Sequence, residues 1–245
     1  MKRAINTVKI HNLWGLYNLN WNKVDPKVNI IVGINGSGKT TLINSMYSFL
    51  STPNLELKDY YFDHIKIEFT DNTFIKSDEI KEDTQPFNVL KLSKNDTLFD
   101  SIIPRIKNLK DSDKDYYYKN IENFAVIMGD LMSNTKKHIE ISENNGSLII
   151  KDINNKEIAL ERLSAGEKRM LISLYKVFLT KKQDYFIFLD EPELSLHVSW
   201  QAQLIDIILK LNPNAQLFVV THSPNIFSNG WGDKLQFIED FISEI

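Results

Sequence analysis

The chain has 245 residues, of which 42% are hydrophobic and 25% charged, a composition typical of a soluble globular protein. A formal charge of −3 and a pI near 6.0 exclude a strongly basic protein that holds nucleic acid by bulk charge alone. The absence of cysteine excludes disulfides and thiolate metal sites. No apolar run approaches the roughly 18 residues of a membrane span, and MKRAINTVKI lacks the long apolar stretch of a signal peptide, so we expect a cytoplasmic protein with no membrane partner.

The N-terminal elements predicted from the sequence are mainly strands. Residues 3–21 predict two short antiparallel strands with Gly15 at the turn, flanking a core sheet. The apolar run VNIIV (28–32) is typical of a strand buried on both faces, and it leads directly into the glycine-rich stretch GINGSGKTT (33–41). A helix, KTTLINSMYSFL, should follow, and then a hairpin over residues 65–77.

The middle of the chain predicts helices. Residues 96–109 and 114–132 carry apolar residues at three- and four-residue spacing, and the charged stretch KDSDKD (110–115) is interpreted as a solvated link between them. We expect a helical insertion at about 93–136 in a single domain of residues 1–245. A second hairpin, with an Asn-Gly turn, is predicted over residues 138–152.

The C-terminal part alternates regularly. A helix after Ser164, a strand YFIFL (185–189), a helix near 197–211 and a strand QLFVV (216–220) follow one another. Such alternation predicts an α/β fold with a parallel sheet.

The stretch from Gly33 to Thr40 fits the pattern G-x4-G-K-[ST], between a strand and a helix as a phosphate-binding loop requires. Backbone N–H groups of such a loop converge on phosphate oxygens, and the helix N-terminus adds partial positive charge. Lys39 is therefore predicted to reach the β- and γ-phosphates, and the Thr40 hydroxyl to bind Mg²⁺. The alternative is a glycine-rich turn that only joins a strand to a helix.

Two further strand ends carry polar side chains. Asp190 and Glu191 follow YFIFL, at the edge where a parallel sheet exposes its functional residues. Asp190 is predicted to be a Mg²⁺ partner, and Glu191 a general base for water attacking the γ-phosphate. His222 follows QLFVV, where a neutral imidazole could contact the γ-phosphate or orient that water. The alternatives are a solvated acidic turn and a structural histidine.

LSAGEKRM (163–170) has two interpretations. In the first, it is a capping box in which Ser164 caps the helix and Glu167 reaches back to the backbone N–H of the cap. In the second, it is another anion-directed turn, and the two are compatible because a capped helix N-terminus still attracts anions.

Taken in order, the phosphate loop, LSAGE, the strand ending in DEPE, and THS resemble the ATP-binding-cassette (ABC) superfamily over most of the chain. GINGSGKTT, DEPELSLH and THSP look like its RecF, SMC and OLD-type branch, because Leu194-Ser195-Leu196-His197 stands where transporter ATPases usually have a Ser-Ala-Leu-Asp turn. The resemblance implies a P-loop NTPase of ABC type: an α/β fold with a mostly parallel core sheet, an antiparallel β subdomain and a short helical insertion.

The resemblance also implies ATP and Mg²⁺ as cofactors and a head-to-tail homodimer around two ATP molecules. In that superfamily the signature turn, here LSAGE, contacts the ATP held by a partner's phosphate loop. The implied catalytic residues are Glu191, His222 and Lys39, and the implied metal ligands are Thr40 and Asp190. The implied nucleotide-binding residues are Gly33, Ile34, Asn35, Gly36, Ser37, Gly38, Lys39, Thr40, Thr41, Ser164, Ala165, Gly166 and Glu167.

Two features of the superfamily are not assigned by motif. The glutamine-bearing loop has Gln85 as its candidate, before a possible strand FNVLKL, and the adenine-stacking residue stays open between Trp14 and Tyr17. SMC proteins carry hundreds of coiled-coil residues where this chain has about 45, and OLD-type nucleases append a nuclease domain that we do not expect here.

We therefore expect an ATPase that acts as a nucleotide-gated switch for a separate effector protein or nuclease, in antiphage defence or DNA repair. The alternatives are the ATPase subunit of a membrane ABC transporter and a module that binds ATP without hydrolysis. DNA binding is left open, because the Lys and Arg residues are scattered.

Overall fold

The computed structural model describes residues 3–52, 61–80, 84–92, 111–142, 148–194 and 196–245. The chain divides into two compact units. The first unit comprises Met1–Ser93, Asp184–Pro192 and Ala215–Ile245, and the second comprises Lys94–Gln183 and Glu193–Asn214. The organisation as a single domain with an insertion at about 93–136 stays a prediction.

The elements are numbered in chain order. The strands are β1 (Ile5–Leu13), β2 (Tyr17–Trp21), β3 (Val28–Val32), β4 (His64–Phe69), β5 (Phe74–Lys76), β6 (Val89–Leu92), β7 (Lys137–Ile141), β8 (Leu148–Asp152), β9 (Tyr185–Asp190), β10 (Ala215–Val220), β11 (Leu235–Phe237) and β12 (Ile242–Glu244). The α-helices are α1 (Lys39–Ser51), α2 (Asp111–Met132), α3 (Ala165–Phe178) and α4 (Val198–Leu211).

A parallel sheet forms the centre of the first unit. Its strand order is β11-β3-β10-β9-β6, and every pair is parallel. All six residues of β10 are buried, as expected for an apolar strand covered on both faces. The parallel sheet predicted from strand and helix alternation is confirmed.

An antiparallel sheet completes the first unit, in the order β12-β2-β1-β4-β5. The two sheets and α1 share one hydrophobic core. Aromatic rings dominate its centre: Phe188 and Phe218 stack at 5.0 Å, and Trp21 meets Phe218 edge to face at 5.9 Å. Burying such a ring stabilises the fold by about 1.5–3 kcal/mol, so this core fixes β9 and β10 against the antiparallel sheet. The α/β fold with an antiparallel subdomain is therefore confirmed.

The second unit contains the helices α2, α3 and α4 and the β7–β8 hairpin. Phe124 of α2 packs on Tyr175 and Phe178 of α3, with ring centroids 5.7 Å and 5.1 Å apart. The Trp200 indole N–H donates to the Leu131 carbonyl at 2.9 Å, which ties α4 to the end of α2. No helix among the described residues is long and apolar enough to cross a membrane.

The predictions for this unit are partly confirmed and partly wrong. The hairpin over 138–152 is present as β7 and β8, with its Asn-Gly turn outside the described residues, and the helix predicted over 96–109 also lies outside them. The interpretation of KDSDKD as a link is wrong, because α2 begins at Asp111. Acidic residues are favourable in the first turn of a helix, because the positive end of the helix dipole attracts their negative charge.

Candidate phosphate-binding site

Three parallel strands end at the same level of the central sheet. Val220 of β10 pairs with Ile31 of β3 on one side and with Asp190 of β9 on the other. The glycine-rich loop after β3, the acids after β9 and the turn after β10 therefore emerge at one edge. This is the edge at which ligands of open α/β sheets bind.

The glycine-rich loop leads directly into α1. Gly38 is the N-cap of α1, at φ 95°, and no acidic residue occupies the first turn. Glycine has no side chain to cap the helix, so the first backbone N–H groups and the positive end of the helix dipole are left for an external acceptor. The structure thus places Gly33 to Thr41 in a conformation suited to an anion.

Lys39 is folded into the loop. Its ammonium donates to the carbonyls of Gly33 at 3.0 Å and Ile34 at 2.7 Å, and the side chain is buried. Burial lowers the pKa of Lys39, while the carboxylates of Glu239 and Glu191 oppose that shift. The charge predicted to meet phosphate is therefore held at the loop and faces two acidic groups.

Thr40 and Asp190 meet at the centre of the edge. The Thr40 hydroxyl donates to Asp190 Oδ1 at 3.0 Å, although 150 residues separate them in sequence. A hydroxyl and a carboxylate are the hard oxygen ligands that Mg²⁺ prefers, and Mg²⁺ usually takes few protein ligands beside phosphates and waters. The chemistry of the pair therefore fits Mg²⁺. The described residues contain no cluster of three or more His, Cys, Asp or Glu that could hold a metal.

Glu191 has a strained backbone. Its φ is 47°, in the left-handed region that a non-glycine residue adopts at a cost, and its N–H donates to the Val220 carbonyl at 2.9 Å. This bond extends the β9–β10 pairing by one residue and turns the chain sharply after Asp190. Strain of this kind is concentrated at functional sites.

His222 lies beyond β10 and is exposed. The turn that carries it is ordered by Thr221, whose hydroxyl accepts the Ser223 N–H at 3.0 Å and whose own N–H donates to the Ile31 carbonyl. The structure thus places His222 at the predicted edge, and contact with a γ-phosphate stays a prediction.

An aromatic side chain closes one side of the loop. A Cβ added to Gly38 would lie 2.7 Å from Cη2 of Trp14, so the indole leaves room only for glycine there. Tyr17 meets Trp14 edge to face at 6.4 Å. Trp14, one of the two adenine-stacking candidates, therefore lies against the loop.

The assignment of Gln85 to the glutamine-bearing loop is wrong. The strand predicted after it exists as β6 and runs parallel to β9. Gln85 precedes β6, so it lies toward the edge opposite the ends of β3, β9 and β10. The residues that follow β6 lie outside the described part of the chain.

The signature turn belongs to the second unit. The Ser164 hydroxyl accepts the Glu167 N–H at 3.3 Å, and the Glu167 carboxylate accepts the Ser164 N–H at 2.8 Å, which is the predicted capping box. Ser164 and Ala165 are exposed, whereas Gly166 and Glu167 are buried. The carboxylate of Glu167 is therefore engaged in shaping the turn, and a contact between these residues and nucleotide stays a prediction.

Lys137 was not predicted. Its ammonium lies 2.7 Å from the second Glu167 oxygen, and Glu167 is only 3% exposed. Burial would raise the pKa of Glu167, but hydrogen bonds from Lys137, the Ser164 backbone and Thr135 hold it below its usual value. The hairpin strand β7 thus supports the signature turn through one ion pair.

The turn that follows the acidic pair is also braced within the second unit. Arg169 of α3 donates to the Leu194 carbonyl, and the Gln201 amide donates to the carbonyls of Glu193 at 3.3 Å and Leu196 at 3.0 Å. Arg169 lies 25 residues from Leu194, so no local sequence signal identifies that contact, whereas Gln201 is five and eight residues from its two acceptors.

A family model described as "AAA domain, putative AbiEii toxin, Type IV TA system" matches residues 79–228, more than half of the chain. The chain belongs to this AAA family. The matched region contains the signature turn, the acidic pair and His222, and it begins after the phosphate loop.

Solved structures with the same fold include SMC heads. The SMC head bound to the C-terminal winged-helix domain of ScpA gives a TM-score of 0.57 at 15% identity over 92% of each chain. The Pyrococcus furiosus SMC head with an extended coiled coil gives 0.57 at 13% identity over 99% of this chain and 96% of that one, and the Thermotoga maritima head gives 0.54 at 12% over 92% of each. This AAA-family chain therefore has the fold of SMC heads.

A curated relative is the Septu protein PtuA of Bacillus thuringiensis. It is 35% identical over 91 residues, which are 32% of this chain and 23% of PtuA. The match therefore spans less than a quarter of the length of that relative.

Proposed function

We propose that the protein binds ATP with Mg²⁺ and hydrolyses it to ADP and phosphate. The observation that carries the proposal is the hydrogen bond between Thr40 and Asp190, at 3.0 Å, beside the loop that holds Lys39. Membership of an AAA family and the SMC-head fold support it. A merely structural turn gives no reason for a buried lysine, an uncapped helix start and a carboxylate to meet at one sheet edge.

Each residue at this edge has a role in the proposal. The loop N–H groups and Lys39 hold the phosphates, and Thr40 with Asp190 holds Mg²⁺, which offsets the charge that builds on the phosphate oxygens. Glu191, one residue beyond Asp190, accepts the proton of the attacking water. His222 orients that water or contacts the γ-phosphate.

Phosphate release from Glu191→Gln tests the hydrolysis step. Removal of a general base should lower the rate about 10²- to 10⁴-fold while ATP affinity stays unchanged. Glu244→Gln, an exposed change on β12 of the same unit, is the matched control and should hydrolyse at the parental rate. Normal turnover by Glu191→Gln would remove this residue from the role of base.

We further propose a head-to-tail homodimer in which Ser164, Ala165 and Gly166 of one subunit face the ATP held by the other. The exposure of Ser164 and Ala165 at the start of α3 supports this arrangement, because the start of a helix attracts phosphate. The alternative of a transporter subunit gains no support from any observation on the described residues.

Light scattering of the Glu191→Gln variant tests the dimer. Mg-ATP should double the 28.5 kDa mass of the chain. Adding Ser164→Asp should prevent doubling, because aspartate still caps the helix but places a negative charge against phosphate. Ser164→Thr keeps the cap and adds no charge, so this variant should still dimerise. Doubling that survives Ser164→Asp would contradict the trans arrangement.

The similarity to PtuA suggests a setting for this activity. We propose that ATP-driven closure is read by a separate effector, in antiphage defence rather than DNA repair. Phage challenge of cells carrying the gene neighbourhood, with Lys39→Ala as the inactive control, tests it. Equal plaque counts with the parental and the Lys39→Ala chains would reject a defence role.

A further inference from the structure

The segment after β10 returns to the phosphate loop. Strand β11 pairs in parallel with β3, and Phe237 lies opposite Val32, the residue before the loop. Strand β12 then joins the antiparallel sheet, where Ile242 pairs with Leu19 of β2. The short helix between them, Ile238–Phe241, is therefore fixed at both ends by different sheets.

Buried side chains also fix this short helix. Ile238 is fully buried, and the Phe241 ring stacks on Trp21 with a centroid distance of 5.1 Å and an interplanar angle of 18°. Glu239 lies between these two anchors and is exposed. Its position relative to the loop is thus set by the buried side chains on either side of it.

Glu239 contacts the beginning of the phosphate loop. Its Oε1 accepts the Ile34 N–H at 3.0 Å, across 205 residues of sequence. A Cβ added to Gly33 would lie 2.7 Å from both Glu239 Oε1 and the Ile238 side chain, and Gly33 has φ 155°. Gly33 is needed there because only glycine lets the loop approach this carboxylate.

The contact meets the loop where Lys39 is also anchored. Lys39 donates to the carbonyls of Gly33 and Ile34, and Glu239 accepts from the N–H of Ile34. The peptide groups at the start of the loop are therefore held from two sides. Losing either contact should let the start of the loop move without disturbing the hydrogen bond between Thr40 and Asp190.

We infer that Glu239 is a positioning residue that holds the start of the phosphate loop, through the Ile34 N–H, in the conformation that receives a nucleoside triphosphate. The inference rests on the proposed function for its nucleotide part. The hydrogen bond itself requires only an acceptor oxygen, not a charge. A glutamine at this position retains that oxygen, whereas an alanine does not.

Hydrogen exchange of the loop without nucleotide is the first test. Glu239→Ala should accelerate exchange of peptides covering residues 33–37 about fivefold, the effect of losing one ordinary hydrogen bond. Glu239→Gln should stay within about twofold of the parental chain, since its carbonyl replaces the acceptor. Asp240→Ala, which removes the next carboxylate of the same short helix, is the matched control and should leave the loop unchanged. Unchanged exchange in Glu239→Ala, or equal acceleration in Glu239→Gln, would overturn the inference.

Fluorescence titration with a labelled ATP is the second test. Glu239→Ala should weaken binding about fivefold, and Glu239→Gln should restore it. Tighter binding by Glu239→Gln than by the parental chain would overturn the inference, because the carboxylate would then act by repelling phosphate. If the parental chain binds no ATP while Glu239→Ala still accelerates exchange, the proposed function fails and the brace on the loop stands.

Discussion

Removal of Lys137 should destabilise the fold, because it takes the ion-pair partner away from the buried Glu167 carboxylate of the signature turn. Lys137→Met deletes the ammonium that lies 2.7 Å from Glu167 and keeps most of the aliphatic side chain. The Glu167 carboxylate, 3% exposed, would retain its capping contacts but lose its ion pair with Lys137. A buried charge without its partner is costly, so the change should be destabilising.

The magnitude follows from burial on the two sides. Breaking a fully buried ion pair costs about 3–5 kcal/mol, and a hydrogen bond to a charged group is worth about 1.5–3 kcal/mol. Lys137 is 21% exposed and water can reach its ammonium, so the smaller of these two ranges applies. We expect a loss of about 2 kcal/mol, equivalent to a fall of about 4–8 °C in Tm for a chain of this size.

The pH dependence separates charge from packing. The pKa of Glu167 is lowered from its ordinary value of 4.5, so its contribution to stability is present above that value and is lost as the pH falls through the folded pKa. In Lys137→Met, burial should raise the Glu167 pKa, so the carboxyl protonates at a higher pH than in the parent. The stability difference between variant and parent should therefore be full at pH 7 and shrink as the pH falls from the raised Glu167 pKa of the variant to the lowered Glu167 pKa of the parent.

Urea unfolding at pH 7 and pH 4 measures this difference. Lys119→Met, an exposed change on α2 of the same unit, is the control for loss of a surface charge. The reasoning is refuted if Lys137→Met is as stable as Lys119→Met at pH 7. A penalty of equal size at both pH values would also refute it, because that result assigns the loss to packing of the lysine chain.

Three predictions concern the first unit. Lys39→Ala should weaken ATP binding at least about tenfold, since it deletes a charge directed at phosphate, and unchanged affinity in calorimetry would contradict the assignment. Asp190→Asn should bind ATP in EDTA like the parent but lose the gain in affinity that Mg²⁺ provides; a full gain would exclude Asp190 as a ligand. Glu191→Asn should raise stability by about 0.5–1 kcal/mol, because asparagine tolerates the φ of 47° better, while phosphate release falls; a lower Tm would show that this backbone is not strained.

The strand ends were predictable because their signals are local. VNIIV, YFIFL and QLFVV are apolar runs, and each is followed at once by the loop or the polar side chains of the candidate site. Parallel strands place their carboxyl ends at one edge, so the meeting of Thr40 with Asp190 follows from the pattern despite a separation of 150 positions in sequence. The capping box was predictable for the same reason, since Ser164 and Glu167 are only three positions apart.

The supporting contacts were not predictable in this way. Strands β11 and β12 have three residues each, too few for a periodic pattern, and the turn that presents Glu239 forms only because each strand joins a different sheet. Lys137 reaches Glu167 across 30 residues, through the packing of a hairpin whose register the sequence does not specify. The assignment of Gln85 was wrong because the sequence predicted strand β6 without its direction in the sheet. That direction decides which end of β6 lies at the site.

The two supporting residues, Glu239 and Lys137, belong to separate units, so their effects on nucleotide binding and on dimerisation can be tested separately. Glu239 and Ile34 lie in the first unit, and Lys137 and Glu167 lie in the second. The first contact acts on a backbone N–H and the second on a carboxylate, each within its own unit, so we expect a change at one to leave the other unaltered. If ATP joins a phosphate loop to a partner's signature turn, Glu239→Ala should weaken ATP binding by the monomer, whereas Lys137→Met should leave that binding intact and weaken only the ATP-dependent doubling of mass. Loss of monomer binding in Lys137→Met would show that the signature turn acts on its own subunit, against the trans arrangement.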